Sequence, residues 1–200
     1  MRNNQLQLLV RAISVLIILL CNTSVKAQDS VRAGKNIYYL TIGGGNGSGF
    51  PLQETNGISG MLELGLQKDK VIYGLGVRGV GEIDIFSDVN NSMMSIDLTY
   101  GRVYKTRRLF SSISAGLGYV TAVTKGEFIS SDGWFATHYY EKYTNHTIGF
   151  PISAKAFWLP STYIGFGAEV FANLNNLNSF YGVNFSIQFE KMPPRKKRDK

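Results

Sequence analysis

Cysteine occurs once in the 200 residues and proline five times. Beyond the N-terminal leader, no stretch holds the roughly 18 consecutive apolar residues that a membrane-crossing helix needs. The lone cysteine excludes a disulfide framework and a thiolate-ligated metal centre. The scarcity of proline excludes a collagen-like chain, and 44% hydrophobic residues excludes a disordered one. Charge is sparse as well, at 18% of residues, and apolar spacing at helical period is rare.

A net positive charge is missing from the middle of the chain. The formal net charge is +7, but residues 28–190 sum to −1. The excess sits at the ends, with Lys191, Arg195, Lys196, Lys197, Arg198 and Lys200 in the last ten residues against the single acid Asp199. A basic tail on a near-neutral domain does not support nucleic-acid binding. Residues 1–27 open with Arg2 and Arg11, continue into an apolar run from Ala12 to Cys21, and end in Val25-Lys26-Ala27. A charged start, a short apolar core and small residues at the cleavage positions form a secretory signal peptide. Acylation at Cys21 is disfavoured because the bulky Leu20 precedes it. Cleavage after Ala27 leaves no cysteine.

What the remaining chain does have is alternation of period two, broken by turn residues, which is the strand signal. Eight strands are predicted, at about 37–45, 57–67, 70–81, 92–104, 108–122, 145–158, 162–173 and 179–190. Most reach the 9 to 11 residues that a tilted strand needs to cross a bilayer. Their two faces differ in kind. One carries Leu62, Leu64, Leu75, Met94, Ile96, Leu98, Leu117, Ile152, Phe166, Phe185 and Ile187. The other carries glycine, serine and isolated charges, among them Glu63, Arg78, Asp97, Lys155 and Glu169. A solvent-facing surface would hold many Lys and Glu, whereas a narrow interior favours small residues and a few polar groups that pair with one another. Aromatics cluster towards the strand ends at Tyr73, Tyr100, Tyr119, Trp158, Tyr181 and Phe189, as in the girdles at membrane interfaces. The apolar face is therefore expected to look outward into lipid. A soluble lipocalin-type barrel would require the opposite sidedness.

The connections are expected to alternate between short, at Lys68-Asp69, Lys105 to Arg107 and Leu159 to Ser161, and longer, at 46–56, 82–91, 124–144 and 174–178. Long exterior loops and tight periplasmic turns are a property of bacterial outer-membrane barrels.

On these signals, and on a final strand Tyr181-Gly-Val-Asn-Phe-Ser-Ile-Gln-Phe189 with alternating aromatics, the chain resembles the small porin-like outer-membrane β-barrel proteins of the eight-stranded class. The resemblance implies an all-β fold, an eight-stranded antiparallel up-and-down transmembrane barrel behind a cleaved signal peptide. The expected organisation is signal peptide 1–27, an N-terminal periplasmic segment 28–36, a barrel 37–190 and a basic tail 191–200. It also implies a monomer in the outer membrane with both mature termini periplasmic. Its partners would be outer-membrane lipid and lipopolysaccharide, the barrel insertion machinery, and a surface ligand at the exterior loops. Members of the family usually end on the terminal aromatic of the last strand; here eleven residues follow Phe189.

Glu63, Arg78, Asp97, Lys155 and Glu169 are expected to form an interior polar network, with Arg78 roughly opposite Asp97 and Lys155 roughly opposite Glu169 on neighbouring strands. A gated small pore is the functional rival. In the longest predicted loop, Trp134, Phe135, Tyr139, Tyr140 and Tyr143 are candidates for recognising a partner or surface glycan, or for folding back on the rim as an extended hairpin. Small membrane barrels include lipid A deacylases and acyltransferases that use a His with Ser or Asp near the rim. His146 has Ser130, Ser131 and Asp132 only in the preceding loop, so no catalytic residue is assigned. His138 and His146 with no nearby cysteine make a poor metal site, and no cofactor is expected. Gly74-Leu-Gly-Val-Arg-Gly79 matches a dinucleotide fingerprint, but strand residues follow where a helix must open. The glycine run at 43–49 lacks the Gly-Lys-Ser/Thr of a phosphate loop and is expected to lead from a strand into a loop.

Overall fold

The computed structural model describes residues 36–50, 56–82, 87–106, 108–131, 138–161 and 163–191. The predicted signal peptide, nearly all of the segment 28–36, Trp134, Phe135 and the tail beyond Lys191 lie outside the described residues. Eight strands follow one another: β1 (Asn36–Phe50), β2 (Asn56–Lys68), β3 (Val71–Gly81), β4 (Ser92–Lys105), β5 (Leu109–Ser131), β6 (His138–Trp158), β7 (Ile164–Asn175) and β8 (Ser179–Lys191). Each pairs antiparallel with its sequence neighbours, and β1 pairs with β8 to close the barrel. Closure leaves no open edge in the wall, so every strand in it has two hydrogen-bonding partners.

Alternation sets the sidedness as expected. Along β4 the odd positions Met93, Ser95, Asp97 and Thr99 are buried while Met94, Ile96, Leu98 and Tyr100 are exposed. Leu98 is 66% exposed beside a fully buried Asp97. The same pattern runs through the other strands, so the barrel shows a continuous apolar surface to its surroundings.

The interior has three layers. Near the tight turns Tyr39, Ile72, Val103, Phe110, Phe157 and Leu159 form an apolar cluster. At the opposite end Val80, Met93, Val120, Ala122, Phe171 and Phe180 form another. Edge-to-face aromatic contacts consolidate each, Phe110 on Phe157 at 6.0 Å and Phe171 on Phe180 at 6.2 Å. Between them lies the polar layer.

The strand ends depart from expectation in two places. The glycine run does not lead into a loop at Asn46: β1 continues to Phe50, paired with β2 as far as Ser48 and with β8 to its end. Nor is 124–144 a loop throughout, since β5 and β6 run on as a paired hairpin to Ser131 and His138, through register shifts between Lys125, Phe128 and Ser130. The strict alternation of short and long connections therefore fails. The link between β7 and β8 is only 176–178, closed by the Asn175 side chain, which accepts from the amides of Leu177 and Asn178. The asymmetry between the two ends resides in strands that overrun the barrel. At the other end Asp69, at φ 55°, makes the two-residue turn between β2 and β3, a conformation Asp tolerates better than most residues.

Candidate functional site

The five inward charges meet in one cluster at the centre of the barrel. Arg78 is its hub: Nη1 donates to Asp97 Oδ2 at 2.9 Å, Nη2 to Glu63 Oε2 at 2.6 Å and to Glu169 Oε1 at 2.9 Å, and Nε to the same Glu169 oxygen at 3.2 Å. A planar guanidinium with a fixed fork of donors can serve three carboxylates at once, which an ammonium cannot do with the same geometry. Lys155 donates to Glu63 Oε1, and its ammonium is 3.9 Å from Glu169. The Tyr39 hydroxyl completes the shell of Glu63 at 3.0 Å. All five charged side chains are buried.

Arg78 does pair with Asp97 as expected. The expected Lys155–Glu169 pair is present, the two residues facing each other in the β6–β7 register with the ammonium 3.9 Å from the carboxylate, but it is the looser contact: the closer partner of Lys155 is Glu63 on β2, and Glu169 is held more closely by Arg78 on β3. Strands β2 and β6 stand across the barrel from each other, as do β3 and β7. In an eight-stranded barrel the lumen is only about as wide as two facing side chains, so long ones meet across the diameter. Small residues make the room: a Cβ on Gly118, which pairs with Asp97, would lie 2.2 Å from Asp97 Oδ1.

Further polar pairs surround the cluster. Ser59 donates to Asn184 at 2.5 Å, Ser114 and Ser153 are 2.9 Å apart, and Asn173 reaches Asp97 at 3.5 Å. These uncharged partners carried no distinctive sequence signal beyond their place on the inner face. Near the turns Lys105 and Glu190 form a second ion pair at 2.5 Å.

The other candidates gather at the opposite end, on the β5–β6 hairpin. Phe128 lies edge-on to Tyr140 at 5.7 Å and 5.9 Å from His138, and Lys125 sits 5.3 Å over the Tyr140 ring. The β3–β4 connection braces this hairpin: the Asp88 amide donates to His138 O, the Tyr140 amide to Asp88 Oδ1, and the Lys125 amide to Asn91 Oδ1. Tyr139 is half-buried. Tyr143 is 50% exposed, and the hydrogen bond its hydroxyl donates to Glu141, followed by the charge of that carboxylate, holds the phenol pKa above its ordinary value. Sequence reading did not single out Phe128 and Ile129, which are 56% and 62% exposed. Their position in the predicted loop, rather than on a regular strand face, concealed them.

His146 faces outward at the same end of the wall. Its ring stacks on Tyr119 at 5.6 Å, and Nδ1 is 3.2 Å from Thr121 Oγ1. Among the described residues no carboxylate hydrogen-bonds to it, and no cluster of His, Cys, Asp and Glu is suited to a metal ion. Gly74 to Gly79 lie within β3 and open no helix.

A closed, eight-stranded antiparallel barrel with its apolar side chains outward and its charges inward has the architecture of the outer-membrane barrel class. Solved structures agree on the fold. Neisserial surface protein A superposes with a TM-score of 0.59 at 10% identity, covering 78% of this chain and 99% of that one. Ail, the attachment invasion locus protein of Yersinia pestis, superposes with a TM-score of 0.55 at 10% identity, over 79% and 100%. The N-terminal β-barrel domain of Pseudomonas aeruginosa OprF gives 0.53 at 14% identity, over 78% and 97%. No protein-family model and no curated protein matches the sequence.

Proposed function

We propose that the protein is a monomeric bacterial outer-membrane barrel whose role is structural or in surface interaction, exerted through the β5–β6 hairpin rather than by passing solutes. The observation that carries this reading is the contrast between the two parts. The lumen is filled by an ion-paired layer sealed between two aromatic clusters, while the hairpin runs beyond the last β4–β5 pair, Ser92 with Val123, and exposes Phe128, Ile129 and Tyr143. Apolar residues displayed on a rigid paired element favour contact with a partner. The apolar wall supports membrane insertion, and the closed sheet leaves no wall edge for a second copy to pair with. Asn36 and Lys191 both lie at the tight-turn end, which supports placing both termini of the barrel in the periplasm.

Ail was crystallised with the heparin analogue sucrose octasulfate. At the hairpin end of the present barrel Glu82, Asp88, Glu127 and Glu141 stand against Lys125 and Lys142 among the described residues. That balance disfavours a sulfated sugar, and the partner we propose is one that meets exposed aromatic and aliphatic side chains.

The test is reconstitution. The refolded protein should migrate faster on a gel before boiling than after, and should give no stepwise conductance in planar bilayers. Regular single-channel steps would replace this reading with that of a narrow pore.

A further inference from the structure

The lipid-facing side of the wall carries almost no charge. On the outward-facing rungs from the tight turns up to Val123, Lys68 and Arg102 are the charged side chains among those described, and both are exposed. Lys68 continues the outward series Leu62, Leu64, Leu66, and Arg102 falls between outward-facing Tyr100 and Tyr104. Val71 pairs with Lys68 on one side and with Arg102 on the other. The two cations thus occupy one rung, two strand spacings or about 10 Å apart. One outward-facing pair deeper in the wall, Tyr73 pairs with Tyr100, their rings edge to face at 5.5 Å. Among the described residues neither cationic side chain has an ion pair.

A charge on the lipid face is tolerated at the interface and increasingly disfavoured with depth. Long stems let both cations reach the headgroup level from an apolar rung. Tyrosine prefers that level too, because its ring is apolar and its hydroxyl polar. We propose that Lys68 and Arg102, straddling Val71 above the Tyr73–Tyr100 pair, bind the headgroup of an anionic phospholipid in the leaflet at the tight-turn end. The inference rests on the membrane placement proposed above and adds a ligand to it. The phosphate lies between the two cations, and the acyl chains descend along Val71 and Leu75, an attachment that free phosphate lacks.

The charge along the barrel axis points the same way. At the turn end Lys70 and Arg108 are also exposed, Glu190 is already engaged by Lys105 at 2.5 Å, and Asp69 is the other described acid there. Beyond Lys191 the sequence adds five bases and one acid. The hairpin end is acidic. An anionic headgroup is therefore attracted to one end of the molecule and repelled from the other.

The full-length mature barrel, reconstituted in nanodiscs of equal phosphatidylglycerol and phosphatidylcholine, is released into detergent and its retained lipids are counted by native mass spectrometry. Each base near an anionic surface contributes on the order of fivefold, so phosphatidylglycerol should be retained over phosphatidylcholine by about tenfold or more. K68Q/R102Q should bring the ratio close to one, K68R/R102K should keep it, and K142Q on the hairpin should leave it unchanged. An unchanged ratio in K68Q/R102Q, with heat-modifiable migration intact, overturns the site. Loss of the preference on removal of residues 192–200 alone also overturns it, since the tail would then hold the lipid. A wild-type chain without heat-modifiable migration sinks the membrane placement first and the lipid site with it.

Discussion

The ring of Tyr39 stands where a side chain on Gly65 would be: the two residues pair across β1 and β2, and a Cβ on Gly65 would lie 1.7 Å from Tyr39 Cζ. The glycine lets the ring cover the backbone, and the ring carries its hydroxyl to Glu63. Gly65→Val should force the ring aside and destabilise the folded barrel by about 1–3 kcal/mol, the usual cost of overpacking. Tyr39→Phe, which keeps the ring and removes the hydrogen bond to a charged group, should cost about 1.5–3 kcal/mol. Urea unfolding in detergent micelles, followed by heat-modifiable migration, measures both.

Arg78 is the shared donor to three buried carboxylates, so Arg78→Met should be among the most damaging single changes. Removing one partner of a buried ionic group costs about 3–5 kcal/mol because the others are left uncompensated. Adding D97N and E169Q to Arg78→Met removes the stranded charges while leaving Glu63 to Lys155, and should recover part of the loss. No recovery would mean that Arg78 stabilises the barrel by packing rather than by charge.

Lys155 separates the register from the contact. A double-mutant cycle of K155M with E63Q should give a larger coupling than one with E169Q, since the ammonium contacts Glu63 and is 3.9 Å from Glu169. Lys155→Glu should destabilise the barrel more than K155M, because a fourth carboxylate then faces Glu63. Equal couplings in the two cycles would contradict the geometry.

The aromatic seals carry stability and block the lumen in series with the ionic layer. Phe180→Ala, truncating a fully buried ring, should cost about 3–5 kcal/mol. It should open no conductance in planar bilayers, because the Arg78 cluster still fills the section below. Steps of current in F180A would show that the outer aromatic layer was the main barrier.

The hairpin should be separable from the wall. Replacing residues 126–141 by Asn-Gly removes no β4–β5 pair, since that ladder ends at Ser92 and Val123. The shortened barrel should unfold within about 1 kcal/mol of the wild type, surface changes being mostly small. A much larger loss would make the hairpin part of the barrel's folding unit.

Much of the site was legible because alternation is local. Once Leu64 and Leu98 are assigned outward, Glu63 and Asp97 must point inward, and the chain has no other option at period two. Strand ends were less legible for a related reason. The glycines of β1 and the mixed polar residues at 124–131 carry no face contrast, and they are strands because neighbouring strands supply hydrogen bonds to them. Phe128 and Ile129 were overlooked for the same lack of contrast.

The amino-acid order alone therefore determined the number of strands, which side chains look into the barrel and which into its surroundings, and that five charges share the interior. Closure decided who touches whom. Joining β8 to β1 brings β2 against β6 and β3 against β7 across a lumen two side chains wide, so Lys155 reaches Glu63 and Arg78 reaches Glu169. Those contacts join residues about 90 positions apart, and no pattern along a strand encodes a distance measured across a diameter.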